Sequence, residues 1–360
     1  MAPPLKPDSV NTKAITQGSS TEATRVLSVI PGEADGASFV FAKRQVASLQ
    51  EAGVICKTFF LPPRTVPARF AGMGMAFAAQ TVILTAREWQ KFRGEIRTFK
   101  PHIVHVHFGA LPALFCTIST KLPVVVTYRG SDLIPSPGIP RFLWAAGMLL
   151  SQIAALRSSR IICVSQELKR KLWWARSRVT VIPTGIDTKL FYPRPRQEAR
   201  ADLGWGEDER VVLFNSGRTP VRKRLDLAQS AVDVARALCG EIRFVVLDGA
   251  VEPNLIPILM NGADSLLVTS DSEGSPNIVK EALSCNLPVV TVDVGDVRER
   301  LANVEPSRIV ERDPHQIGRA LGEILMKRDR SNGREAIQEV TQERVATRIL
   351  AVYGDALSEN

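Results

Sequence analysis

Two glutamates eight positions apart, Glu273 and Glu281, stand in SEGSPNIVKEALSCNLPVV between two apolar runs. Carboxylates accept hydrogen bonds from hydroxyls, so a sugar or a ribose is their natural partner. Beside them Gly274, Ser275 and Asn277 can aim backbone amides at a ligand, whereas Pro276 has none to offer. The pattern predicts a strand over Ser265 to Thr269, a polar loop, a short helix, and a second strand over Pro288 to Val292. Ser275 is expected to cap that helix and Pro276 to occupy its first turn. A helix N-terminus at a strand end gathers free amides and a positive dipole, which suits a phosphate. Hydroxyl-binding carboxylates beside a phosphate cradle describe a nucleotide-sugar site. The competing description is a capped surface helix with two solvated acids.

A second cluster lies in FNSGRTPVRKRLDLA, 214 to 228, where Arg218, Arg222, Lys223 and Arg224 crowd together. A strand is expected to end at Ser216 and Gly217, and a helix to begin near Val221. Cations at a helix start oppose its dipole, so their presence there points to a ligand. A leaving diphosphate gains charge as its bond to a sugar breaks, and fixed cations then stabilise the transition state more than the ground state. His105 and His107 alternate on a strand and so share a face. Only His102 and His315 remain in the chain, and no HExxH or Cys/His cluster completes a metal site. A core or cleft-lining role is expected for the pair, and no metal.

These groups need a scaffold. Apolar, β-branched runs at 25–30, 54–61, 102–108, 123–128, 160–164 and 179–182 alternate with helical patterns, and a second series follows at 210–214, 242–247, 265–269, 288–292 and 308–310. Two doubly wound, Rossmann-like α/β domains facing across a cleft are therefore expected. Their ligands should lie outside the carboxyl ends of the strands. The boundaries are a flexible tail over 1–23, a first domain over 24–195, a second over 196–340, and a terminal helix over 341–360.

With 360 residues and 45% hydrophobic content there is material for two cores. Five scattered cysteines with no CxxC spacing suit reduced core positions. No apolar stretch reaches transmembrane length and no secretory pattern opens the chain, so a cytoplasmic enzyme is expected. Charge is unevenly divided: +15 over residues 1–195 and −6 over the remainder, within a total of +9. A basic half implies an anionic partner. No nucleic-acid-binding pattern is present and aromatics are only 6%. An anionic membrane surface fits better, since VPARFAGMGMAFAAQTVIL (66–84) and RFLWAAGMLLSQIAAL (141–156) place apolar residues beside basic ones. Core helices are the alternative for both segments.

EGSPNIVKEA followed by LPVV and a VGDV turn resembles the Glu-x7-Glu segment of the family 4 retaining nucleotide-sugar glycosyltransferases, which have the GT-B fold. DGASFVFAKRQVASLQEAG, PHIVHVHFG, IICVSQELKRKL and IPTGIDTKLFYP resemble further family segments in the same order. The resemblance implies that Glu281 holds the ribose hydroxyls, and that Glu273 with the amides at Gly274, Ser275 and Asn277 holds the donor sugar. It implies that Arg218 and Lys223, five apart, hold the diphosphate, with Arg222 or Arg224 as substitutes if the register differs. Gly36 belongs to the first phosphate-approaching loop, although Ala37 replaces the usual second glycine. His107 corresponds to a position facing the acceptor. Arg129 stands where the family often has an active-site histidine, and Asp132 either contacts the acceptor or caps a turn. The connection VEPNLIPILMNGAD is short, which implies one strand fewer in the second sheet. The terminal helix is expected to cross back to the first domain.

The resulting expectation is a retaining transferase moving a sugar from a nucleotide-diphosphate sugar to a lipid-linked or saccharide hydroxyl. It needs no cofactor and works at the inner face of a membrane, in cell-surface polysaccharide or glycolipid synthesis. A nucleotide-sugar epimerase of the same fold, or a catalytically idle partner subunit, remains open. A nicotinamide dehydrogenase is disfavoured because Pro31-Gly32-Glu33-Ala34-Asp35-Gly36 replaces GxGxxG after the first strand.

Overall fold

Each of the eleven apolar runs forms a strand, and every recorded strand pairing is parallel. The computed structural model describes residues 23–34, 39–61, 86–135, 140–217 and 219–359. The expected tail, Gly36 with Ala37, the segment 66–84 and Arg218 therefore lie outside the described residues.

The first domain runs β1 (Arg25–Pro31), α1 (Val40–Glu51), β2 (Ile55–Leu61), α2 (Ala86–Phe99), β3 (Ile103–Val106), α3 (Ala110–Ser119), β4 (Val124–Tyr128), α4 (Arg141–Arg157), β5 (Arg160–Cys163), α5 (Gln166–Lys171) and β6 (Val179–Val181). Its sheet has the order β2-β1-β3-β4-β5-β6. The second runs α6 (Arg196–Leu203), β7 (Arg210–Asn215), α7 (Pro220–Lys223), α8 (Leu225–Cys239), β8 (Ile242–Leu247), α9 (Ile256–Gly262), β9 (Ser265–Val268), α10 (Asn277–Ser284), β10 (Val289–Thr291), α11 (Val297–Arg300), β11 (Arg308–Ile309) and α12 (Pro314–Lys327). Its sheet has the order β11-β10-β9-β7-β8, one strand fewer. Helix α13 (Gly333–Ala336) and then α14 (Gln342–Ser358) complete the chain.

The central strands are buried almost without polar interruption, as expected of parallel sheets covered on both faces. One core fills the second domain, from Val211–Phe214 through Leu266–Val268 to Ile317 and Leu321. In the first domain, one face packs Leu27, Val104 and Val126 against Phe92, Phe115 and Ala154. The other face packs Val26, Ile103, Val125 and Ile162 against Val345, Ile349, Val352 and Tyr353 of α14. Helix α14 is thus an outer layer of the first sheet. Its entry is pinned by the Ser48 hydroxyl donating to the Gln342 carbonyl at 3.1 Å.

In each sheet the strand order reverses beside the first strand of its domain, at β1/β3 and at β7/β9. Those reversals open crevices outside the strand ends, where ligands of doubly wound sheets bind. The loops after β3, β4, β7 and β9 meet there.

Two local expectations are corrected. Ser275 does not cap α10: Pro276 occupies the N-cap with no side-chain cap, and the Ser275 hydroxyl is engaged elsewhere. The helix beginning near Val221 is broken at Arg224, a left-handed residue (φ 57°) between α7 and α8.

Candidate active site

The loop after β9 carries Glu273 to Asn277 and is gripped from below. Gly295, at φ 60°, lets the VGDV turn approach so closely that a Cβ there would meet the Gly274 carbonyl oxygen at 3.0 Å. The next residue, Asp296, is buried and accepts the Ser275 hydroxyl at 2.9 Å. The Ser275 oxygen in turn accepts from Lys280 Nζ at 2.8 Å. Side chains in a helix lean toward its N-terminus, so Lys280 on α10 reaches back beneath the loop. Lys280 is 1% exposed. Burial pulls its pKa down to about 8, against the opposing pull of Asp296. Sequence reasoning missed this lysine; the signal was a lone cation among the apolar residues of α10.

The loop's amides remain available. Those of Gly274, Ser275 and Asn277 find no acceptor among the described residues. Glu281 lies a turn along α10, where burial raises its carboxyl pKa and the charge of Arg44 on α1, in the opposite domain, lowers it. A carboxylate near the cleft with little protein competition suits hydroxyl partners.

Glu273 is less free. Lys223 Nζ donates to its Oε1, and Arg222 Nη1 lies 3.3 Å from its Oε2. Burial alone would raise its pKa, but these two cations hold it below the usual carboxylate range. Lys223 arrives there because the Thr269 hydroxyl donates to its carbonyl at 2.9 Å, tying α7 to the end of β9. Arg222 also donates to the Ser272 carbonyl at 2.8 Å. Arg224 points the other way, to Asp226 at 2.8 Å and Asp271 at 3.4 Å. Lys223, not Arg224, therefore faces the loop of Glu273.

On the first domain, the loop after β4 presses against the sugar loop. A Cβ on Gly130 would lie 3.5 Å from the Gly274 amide. Asp132 shapes this turn: its carboxylate accepts the amides of Gly109 (3.0 Å), Arg129 (3.0 Å) and Gly130 (2.8 Å). Burial raises its pKa while those amides lower it. These bonds tie the turn of Arg129 and Gly130 to the loop after β3.

Arg129 does not project into the cleft as a free donor. Its guanidinium stacks on Phe41, 4.6 Å from the ring centre, and donates to Gln45 (2.6 Å), Thr184 (3.3 Å) and the His107 carbonyl (3.3 Å). A further N–H meets His107 Nδ1 at 3.0 Å. Burial lowers the Arg129 pKa to about 9. His107 is fully buried, and burial followed by its charged neighbours holds its pKa well below the usual value. Its Nε2 has no hydrogen-bond partner among the described residues. His105 is a core residue, bonded to Tyr353 of α14 at 2.6 Å and to Thr127 at 2.7 Å. Burial lowers its pKa to about 3.

Two facing Rossmann-like domains, with a basic α7 and a glutamate-bearing loop at the reversal of the second sheet, define the GT-B class. Residues 52–190 match Glycosyltransferase Family 4, and residues 209–327 match Glycosyl transferases group 1. The chain belongs to the GT-B glycosyltransferases. Sulfoquinovosyl transferase SQD2 of Arabidopsis thaliana is 29% identical over 236 residues, 56% of this chain and 45% of that protein. The putative teichuronic acid biosynthesis glycosyltransferase TuaC of Bacillus subtilis is 28% identical over 223 residues, 56% of this chain and 55% of that protein. The match thus spans about half the length of these relatives. HepE of Anabaena, solved in complex with UDP, superposes with a TM-score of 0.68 at 15% identity, over 92% of this chain and 100% of its own.

Proposed function

We propose that this chain is a retaining glycosyltransferase that moves a sugar from a nucleoside-diphosphate sugar to a hydroxyl acceptor. One observation carries the proposal: the Lys223–Glu273 pair and three unengaged amides converge at the sheet reversal, with Glu281 a turn along the helix that follows. The UDP bound by HepE supports a nucleoside diphosphate as the donor's leaving group. Glu281 holds the ribose hydroxyls. The amides at Gly274, Ser275 and Asn277, with Glu273, hold the sugar.

Lys223 faces the diphosphate as it gains charge, and the family resemblance gives Arg218, outside the described residues, the same role. The bond from the anomeric carbon to the phosphate oxygen breaks, and the acceptor oxygen bonds to that carbon on the same face. The acceptor's proton passes to a phosphate oxygen of the leaving group. In this scheme the cations take the charge that a metal would otherwise carry.

The acceptor is a lipid-linked or saccharide hydroxyl, presented at an anionic membrane surface on the cytoplasmic side. The proposed setting is cell-surface polysaccharide or glycolipid synthesis, in line with the teichuronic acid role named for TuaC. No helix among the described residues is long and apolar enough to cross a membrane.

A thermal-shift panel of nucleoside diphosphates and their sugars tests the donor, since a ligand at a hundred times its Kd stabilises by about 2.7 kcal/mol. The anomeric configuration of the product tests retention, and inversion would overturn it. Incubation without acceptor separates the alternatives: an epimer of the donor sugar would indicate an epimerase, and an untouched donor an idle subunit. Glu281→Ala should raise the donor KM more than it lowers kcat, because ribose contacts change little along the reaction.

A further inference from the structure

Helix α4 presents an uncharged face to solvent. Between Arg141 and Arg157 it carries no charged residue, and its two interior polar side chains, Ser151 and Gln152, are buried. Phe142 (68% exposed), Leu149 and Leu156 lie seven apart and so share one outward stripe with Ala145 and Ala146. A water-facing helix ordinarily carries charges there.

The segment that follows α5 packs along the same helix. Trp174 Nε1 donates to the Gln152 carbonyl at 2.7 Å, and the Trp173 amide donates to Gln152 Oε1 at 2.9 Å. Arg178 donates to the Leu156 carbonyl at 3.0 Å. Both indoles remain exposed, Trp173 by 55%. From Leu168 to Ile186 the chain holds five Lys and Arg and no acid. None of those five makes an ion pair among the described residues.

We propose that the outer face of α4 and the Trp173–Trp174 turn form a docking surface for a bilayer containing anionic lipids. Apolar side chains enter the boundary between headgroups and acyl chains, indoles sit at headgroup level, and the neighbouring cations meet lipid phosphates. The orientation follows from the fold. The Ser151 hydroxyl donates to the Asp132 carbonyl at 2.8 Å, so Ser151 marks the level of the cleft loop. The ten residues of α4 before it extend about 15 Å further toward the cleft side of the sheet at 1.5 Å per residue. The apolar face therefore continues to the cleft rim, within reach of a membrane-anchored acceptor. That last clause rests on the transferase reading; the surface itself does not.

The test is co-sedimentation of the full chain with phosphatidylcholine vesicles, with and without phosphatidylglycerol, across a salt series. Binding should require phosphatidylglycerol and weaken as salt shortens the Debye length, leaving a salt-resistant remainder from inserted apolar groups. Phe142→Glu with Leu149→Glu should remove that remainder. Arg170→Glu with Lys171→Glu should cut the bound fraction several-fold at low salt. All four sites are exposed, so unchanged melting temperatures should accompany both losses.

Equal, negligible binding to both vesicle types would overturn the proposal. So would a chain whose sedimentation velocity shows a dimer that the Phe142 and Leu149 variants split, because the face would then belong to a second copy. Donor hydrolysis in detergent-free buffer reports separately on transfer chemistry. Vesicle binding without hydrolysis would sink the transferase reading and keep the surface, and hydrolysis without binding would do the reverse.

Discussion

Gly274 of the second domain lies so near Arg129 of the first that a Cβ on it would stand 2.0 Å from the Arg129 carbonyl oxygen. Only hydrogen can occupy that space, so the approach of the two loops depends on this glycine. Gly274→Ala should push the domains apart and lower kcat/KM by about a hundredfold, the order expected for roughly 1 Å of misplacement. Small-angle scattering should show a larger radius of gyration. An unchanged radius with unchanged activity would mean that the contact is not needed.

Lys223 and Arg224 are neighbours with opposite surroundings, one on Glu273 and the other on Asp226 and Asp271. Lys223→Ala should reduce turnover by about 10²–10³, the usual loss for one charge-stabilising group. Arg224→Ala should lose far less. A reversed order would transfer the diphosphate role to Arg224.

Lys280 supports the sugar loop through Ser275, so its protonation should be visible in catalysis. With its pKa near 8, the ammonium dominates below that pH and is lost above it. The donor kcat/KM should therefore fall on an alkaline limb near pH 8. Lys280→Met should lower activity and abolish that limb, whereas Lys280→Arg should restore part of the activity and move the limb upward. The charges facing Lys280 are Asp296, Arg300, Glu281 and Arg129, so Asp296→Asn should shift the limb to lower pH.

Acid should destabilise the first domain through its histidines. His105, at about 3, and His107 are both depressed below the ordinary value near 6.5, so the unfolded chain binds protons that the folded one does not. Their stabilisation is complete above that ordinary value and is lost as pH falls below it. Between pH 7.5 and 5 the loss should be about 2 kcal/mol for His105, with a further loss in the same direction from His107. Urea unfolding at the two pH values measures it, and His105→Asn should remove the His105 part of the difference. A pH-independent midpoint would contradict the buried, neutral assignment.

The layout of this protein was legible in the chain because parallel strands buried on both faces must be short apolar runs. All eleven were found by that rule, six in the first sheet and five in the second. Glu273 and the cationic cluster stood out in the sequence because polar groups at strand ends have little structural reason to crowd there, and the fold brings Lys223 onto Glu273.

What each polar group touches was decided only by the tertiary structure. Arg129 could be placed at the cleft from sequence, but Gln45, Thr184 and Phe41, which turn it into the first domain, come from distant segments. Ser275 looked like a cap until Asp296 and Lys280 claimed its hydroxyl. His105 acquired its partner from α14, 248 residues away. Hydrophobic periodicity is a local property that survives in a single sequence. Hydrogen-bond pairing depends on which distant loops fold onto one another, and no local spacing records it.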